Sequence, residues 1–264
     1  VNVVITGSTK GIGFGMAREF ISRGHNVVIS SRREAAVAEA VATLNATGGG
    51  RAVGKAADVA NYADVQALWA AGKAEFGSVD IWVNNAGITT ESANIDELPE
   101  DQIQAVVSTN LIGLMNCCKI AISGMLEQGQ GKVFNMEGFG SDGLTREGLS
   151  VYGATKRAVR YFTKSLVKEY AATNLIICYM SPGIVVTDLL TRHMYDSESE
   201  GFQKRKRFLN VIGDHVETVA PFLVAGAINA SKTGAAVRWM TAWQALGRFI
   251  KSLFVKRDLF SESV

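Results

Sequence analysis

Tyr152 and Lys156 stand four residues apart in "VYGATKRAV", a spacing that puts both on one face of a helix and lets them act on one bound molecule. A phenol, with an ordinary pKa of about 10, is a poor proton-transfer group near neutrality. A neighbouring ammonium stabilises the phenolate and is expected to bring that pKa down. The chemistry indicated is proton donation to an oxygen undergoing reduction. Such a pair normally works with a serine a little upstream, after a strand such as "VFNM", yet Met136 is followed by Glu137 and Gly138. The hydroxyl nearest to that position is Ser141, 11 residues before Tyr152 inside "GFGSDG". Flanking glycines give the loop freedom to bring Ser141 back toward a substrate. A turn serine that bonds only its own backbone is the competing reading.

A second constellation would hold a cofactor. "TGSTKGIG", Thr6 to Gly13, joins an apolar strand to a helical pattern. Its glycines allow a tight turn and close approach of a pyrophosphate to the free N–H groups at the helix N-terminus. A lone glycine turn says little, but this one sits inside a strand–helix–strand unit, the context that dinucleotide binding requires. At the end of the second strand an acidic residue would accept hydrogen bonds from ribose hydroxyls. Here stand Ser31, Arg32 and Arg33, with Lys10 nearby in the first loop. Guanidinium groups match a phosphate in charge and geometry, so NADPH is the expected cofactor.

Positioning these residues takes a regular scaffold. Short β-branched runs ("VNVVIT", "NVVIS", "RAVGKAADV", "VDIWVNNAG", "KVFNM", "LIICYMSPG", "AVRWMT") alternate with helical patterns from Gly11 to Arg23, Glu34 to Leu44, Asp64 to Phe76, Glu100 to Glu127, Val151 to Ala172 and Val216 to Asn229. Such alternation with continuous apolar strands predicts an α/β fold, a parallel sheet covered by helices on both faces. Without repeats, linkers or composition breaks, residues 1–264 read as a single doubly wound domain. Composition agrees: 47% hydrophobic, 20% charged, and a net charge of +2 that gives no reason to expect nucleic acid as a partner. Cys117, Cys118 and Cys178 fit neither a disulfide framework nor metal-ligand spacing, and no metal is expected. No run is expected to span a bilayer. The chain opens at Val1 in an apolar strand, so any targeting peptide is expected to lie outside it.

"TGSTKGIG", "NNAG" (Asn84–Gly87), Asn110 in "STNLIG", "YGATK" and "SPGIVVT" occur in the order and spacing of the short-chain dehydrogenase/reductases, which the whole chain resembles. The resemblance implies a Rossmann-type sheet of about seven strands and hydride transfer from a nicotinamide. Carried over by motif, it implies that Tyr152 donates the proton. Lys156 lowers the tyrosine's pKa and holds the nicotinamide ribose, and Asn110 anchors a water in the proton relay. Gly7, Ser8, Thr9, Lys10, Gly11, Ile12 and Gly13 would surround the phosphates, with Ser31, Arg32 and Arg33 at the 2′-phosphate. Asp58 and Val59 would lie by the adenine, Asn85, Ala86 and Gly87 along the cofactor, and Pro182, Gly183 and Thr187 at its nicotinamide end. The family serine stands 13 residues before the tyrosine, where this chain has Phe139, or at Gly138 when counted from Asn135.

"GFGSDG", "YGATKRAV", "SPGIVVTDLL" and the tail "VRWMTAWQALGRFIKSLF" together resemble the chlorophyll b reductases, a plastid branch of the same superfamily. That resemblance implies NADPH-dependent reduction of the 7-formyl group of chlorophyll b, or chlorophyllide b, to 7-hydroxymethyl chlorophyll a in the chloroplast. Residues 187–213, polar and loop-like with "DSESEG" and "KRKR" (Lys204–Arg207), fall where the superfamily places its substrate lid. Residues 242–264 form a helical extension, with Trp243, Leu246, Phe249, Ile250, Leu253 and Phe254 on one face. This face suits a thylakoid membrane surface, a flat apolar ligand, packing onto the domain itself or a contact between copies in a homo-oligomer. The rival readings are a general NADPH-dependent carbonyl reductase and a non-catalytic NADPH-binding scaffold.

Overall fold

The computed structural model describes residues 1–191 and 200–260. Its strands are β1 (Asn2–Thr6), β2 (Asn26–Ser30), β3 (Ala52–Gly54), β4 (Ile81–Asn84), β5 (Gly131–Met136), β6 (Leu175–Ser181), β7 (Ile184–Val185), β8 (Gly213–Asp214) and β9 (Ala236–Arg238). Its helices are α1 (Gly11–Ser22), α2 (Glu34–Ala46), α3 (Tyr62–Phe76), α4 (Glu100–Val107), α5 (Gly113–Gln128), α6 (Ser150–Glu169), α7 (Asp188–Thr191), α8 (Glu200–Ile212), α9 (Val216–Asn229) and α10 (Ala242–Ser252). Seven strands form one sheet in the order β3-β2-β1-β4-β5-β6-β9, every pair parallel. The expected doubly wound fold is what the chain adopts. Strand order reverses between β1 and β4, which opens a crevice at their C-terminal ends.

Alternation along each strand divides the core. Ile5, Ile29, Val83, Phe134 and Met180 pack with Met16, Phe20, Leu44 and Leu223 under α1, α2 and α9. Val4, Trp82, Val133 and Ile177 pack on the other face with Leu68, Cys117, Met125, Val159 and Leu166 under α3, α5 and α6. The three cysteines are free and buried.

One expectation needs correction, and the structure adds what the sequence left open. The helical run Glu100–Gln128 is long and apolar enough to cross a membrane by length and composition. It serves here as a core helix: Cys117, Cys118, Ala121, Ile122 and Met125 are buried in the core under the sheet, and a π-turn at Ser108–Ile112 interrupts the run. The polar segment expected to be loop-like contains α8, because Gln, Lys, Arg and Leu favour a helix and its few apolar residues fall on one side. Of the lid expected over 187–213, residues 192–199, with most of "DSESEG", lie outside the described residues, as do the side chains of Lys204 and Arg205 and the tail 261–264. Finally, β7 and β8 form a separate parallel strap that the sequence did not announce.

The C-terminal extension docks through charge. Asp214 of β8, 3% exposed, accepts hydrogen bonds from Trp239 Nε1 (2.7 Å), Arg248 (2.7 Å) and Arg257 (3.2 Å). A Thr241/Gln244 capping box starts α10. Phe249 meets Phe208 of α8 at 6.0 Å between ring centroids, while Trp243 and Phe254 are each 82% exposed.

Candidate active site

α6 begins at Ser150, so Tyr152 and Lys156 occupy its first two turns, beside the C-terminal end of β5. Lys156 is buried; its Nζ donates to the Met136 carbonyl at 3.2 Å and lies 5.8 Å from the Tyr152 ring centroid. Burial pushes the Tyr152 phenol up to about 12 and draws Lys156 down to about 8, with the Glu137 carboxylate opposing the latter shift. The tyrosine shift therefore runs opposite to the lowering expected from its lysine. The reason is desolvation, with the ammonium turned toward a backbone carbonyl. A neutral phenol remains a competent donor to an alkoxide, which is a much stronger base than a phenolate.

Asn110 lies in the π-turn and is fixed at both ends of its carboxamide. Oδ1 accepts from the Ile88 N–H at 2.8 Å, and Nδ2 donates to the Ile88 carbonyl at 2.8 Å and to Thr155 Oγ1 at 3.2 Å. Gly87 separates it from the lysine, since a Cβ there would stand 3.4 Å from Asn110 Oδ1 and 3.6 Å from Lys156 Nζ.

Gly138 takes the place beside the tyrosine that a serine would fill. A Cβ at this position would overlap the Tyr152 hydroxyl and come within 3.2 Å of Lys156 Cγ and Cε. Ser141 is 3% exposed; its hydroxyl accepts from the Gly138 N–H at 3.1 Å and donates to the Lys156 carbonyl at 3.2 Å. Its one proton is thus given to backbone, the arrangement of a turn serine rather than of a substrate donor. Phe139 is exposed.

The cofactor half assembles at the crevice. Gly7 (φ 62°) and Gly11 (φ 58°) hold left-handed turns that other residues resist. A Cβ on Gly13 would stand 2.5 Å from Asn85 Nδ2, and one on Gly7 2.8 Å from Ala86 Cα, so both must be glycine for the loop to pack. Ser8 Oγ donates to the Ile5 carbonyl at 2.6 Å and accepts from the Ser30 N–H at 2.9 Å, tying the loop to β1 and β2. Asn85 Nδ2 donates to the carbonyls of Thr6 and Gly7, and the Ala86 N–H donates to Thr6 Oγ1. Lys10 caps α1 without a side-chain bond, leaving the first-turn amides of Gly11, Ile12 and Gly13 to an anion. This cradle, preshaped at a strand–helix turn and a switch point, fits a dinucleotide pyrophosphate.

The remaining positions divide. Ser31 is half-buried, while Arg32 and Arg33 are exposed past β2 and make no side-chain hydrogen bond or ion pair among the described residues. Thr9 lies in the loop, but Lys10, placed with the arginines by the sequence, pairs with Asp188 at 2.8 Å and so leans toward the opposite wall. Asp58 Oδ1 accepts from the Ala60 N–H at 2.9 Å, and Val59 is buried against Gly113 of α5. Pro182, Gly183 (φ 71°) and Thr187 follow β6, Thr187 standing 3.6 Å from where a Gly11 Cβ would be.

Sequence reasoning missed the buried chain Trp82–Asn84–Asn135–Thr163, bonded at 2.7, 2.8 and 2.9 Å, which locks β4 and β5 to α6 beneath the site. It also passed over Glu137 as a residue with a role. The signal was present, since a carboxylate directly after the apolar run "KVFNM" is unusual for a buried strand end.

The family model for short chain dehydrogenases matches residues 1–197. A chlorophyll(ide) b reductase (NOL, chloroplastic) of Arabidopsis thaliana is 41% identical over 84% of this chain and 64% of its own length. Its counterpart in Oryza sativa subsp. japonica is 37% identical over 96% of this chain and 75% of its own. The chain thus spans about two thirds to three quarters of these relatives. Among solved structures, an actinorhodin polyketide ketoreductase with NADPH superposes with a TM-score of 0.81 at 28% identity, over 92% of this chain and 97% of that one. Motif order, sheet topology and the matched length agree, and the chain belongs to the short-chain dehydrogenase/reductase family.

Proposed function

We propose that the protein reduces the 7-formyl group of chlorophyll b or chlorophyllide b to a hydroxymethyl group with NADPH. The observation that carries this reading is the side-chain-free position at Gly138 beside Tyr152, in a chain about 40% identical to chlorophyll(ide) b reductases. An aldehyde on a rigid macrocycle needs a broad approach, and glycine there removes bulk where the ring edge must pass. When bound, NADPH supplies a hydride to the formyl carbon. Tyr152 gives its proton to the resulting alkoxide oxygen, and the Lys156 ammonium offsets the charge left on the phenolate. Asn110, in a π-turn whose backbone leaves the regular i→i−4 ladder, would hold the water that reprotonates the pair. Arg32 and Arg33 would take the 2′-phosphate, which makes NADPH the preferred cofactor.

The two plant relatives are named as chloroplast proteins, and this reading extends that location to the present chain. The exposed apolar face of α10 would meet the thylakoid surface, where the pigment resides, and the protein would act as a homo-oligomer. Incubation with chlorophyll b and NADPH, followed by absorption spectra, tests the proposal: the band of the formyl-bearing substrate must give way to that of a hydroxymethyl product, while chlorophyll a in a parallel incubation stays unchanged. Oxidation of NADPH by simple ketones but never by chlorophyll b or chlorophyllide b would replace this reading with a general carbonyl reductase.

A further inference from the structure

Beneath the Tyr152–Lys156 pair lies a carboxylate that the reaction just described does not use. Alternation along β5 turns Val133, Asn135 and Glu137 toward α6: Val133 packs in that core, and Asn135 Nδ2 donates to Thr163 of α6 at 2.9 Å. Glu137 comes next, only 5% exposed. On α6, Lys156 and Arg160 are four apart and share a face. Arg160 Nε stands 3.6 Å from Glu137 Oε1, and Lys156 Nζ is bonded to the carbonyl of Met136, the residue preceding Glu137. Tyr179 of β6, Arg238 of β9 and Asp142 in the β5–α6 loop complete the titratable surroundings. One buried carboxylate thus faces three cations, yet its Oε1 has no hydrogen-bond partner among the described residues. An acid left in this state is costly in itself.

We propose that Glu137 is a positioning residue for the reduction: set under α6, 3.6 Å from Arg160 and directly after the carbonyl that holds the Lys156 Nζ, its carboxylate keeps Lys156 an ammonium. The proposal rests on the reading of Tyr152 and Lys156 as the reducing pair. Burial alone favours a neutral amine at Lys156, and Glu137 is the carboxylate that counters it. A neutral lysine would lend no positive charge to the tyrosine as its proton leaves. Glu137 acts through the lysine and not on the substrate, because its side chain is buried, and Gly138 is the residue that borders the Tyr152 hydroxyl.

The test is a titration of the protein alone, with lysines labelled with carbon-13 at Cε and the Lys156 signal assigned by its loss in Lys156→Arg. In Glu137→Gln the Lys156 midpoint should fall by about one pH unit or more. Glu137→Asp should restore most of it, and Arg160→Gln, which removes a competing cation, should raise it. The alkaline limb of kcat/KM for pigment reduction should move in the same directions. A folded Glu137→Gln protein with an unmoved Lys156 midpoint overturns the proposal. Should Glu137→Gln not fold, Glu137→Asp decides: the shorter side chain draws the carboxylate back, so a Lys156 midpoint that falls part of the way supports the proposal, and an unmoved or raised midpoint overturns it. Wild-type protein that reduces no pigment would sink the functional reading instead, while the lysine titration still judges Glu137.

Discussion

Gly138→Ser would restore to this site the hydroxyl that the family motif leads one to expect, and the structure predicts that it harms the enzyme. The new Cβ would overlap the Tyr152 hydroxyl and come within 3.2 Å of Lys156 Cγ and Cε. Non-bonded heavy atoms prefer separations of about 3.5–4.0 Å, so the phenol must retreat by roughly 1 Å. A displacement of that size at the reacting centre costs on the order of 10²-fold in rate. That corresponds to about 2.7 kcal/mol of transition-state stabilisation. The assay is single-turnover reduction of chlorophyll b with saturating NADPH, alongside NADPH affinity, which should change little because the cradle lies on β1 and β4. Gly138→Ala carries the same Cβ without a hydroxyl and should lose as much activity. A Gly138→Ser enzyme as fast as wild type, with Gly138→Ala slow, would mean that the site uses a serine hydroxyl after all and that the steric reasoning is wrong.

Tyr152→Phe should lower reduction by at least the roughly 10²–10⁴-fold typical of a lost general acid, while NADPH titrations remain as in wild type. Replacing Arg32 and Arg33 together by alanine should weaken NADPH far more than NADH, each charged hydrogen bond contributing about 1.5–3 kcal/mol; equal losses for both cofactors would count against the assignment. Ser141→Ala should act mainly on stability, losing about 1–3 kcal/mol in denaturant unfolding as the Gly138 N–H loses its partner. A Ser141→Ala enzyme of normal stability but slow turnover would return that hydroxyl to the chemistry.

Where local pattern decides structure, the sequence could be read directly. β1, β2, β5 and β6 are continuous apolar runs, and α9 spans the very residues expected from its pattern, Val216–Asn229. The glycine cradle was legible because each glycine answers a local demand of the turn. Contacts between distant residues were not. Nothing near Ser141 announces that its proton goes to the carbonyl of Lys156, 15 residues on. Lys10 shares a loop with the cofactor motif but pairs with Asp188, 178 residues away. α8 escaped notice because its run of four cations, "KRKR", reads as solvated loop although its apolar residues share one side. The π-turn around Asn110 is equally silent, since it has no composition of its own.

The Asp214 junction sets an order of assembly. The strap strand bearing this carboxylate is synthesised 34 residues before Arg248 and 43 before Arg257. The central six strands β1 to β6 precede all three, so that part of the sheet can pair while the strap still lacks its counter-ions. Burying Asp214 without them would cost several kcal/mol, about 3–5 for a broken buried pair, so the nascent strap stays solvated. The strap made by β7 and β8 therefore sets only when the tail arrives, after the crevice at the ends of β1 and β4 can already have formed. Maturation of this protein would then proceed from sheet to strap, with the extension that carries Arg248 and Arg257 as the last part to dock.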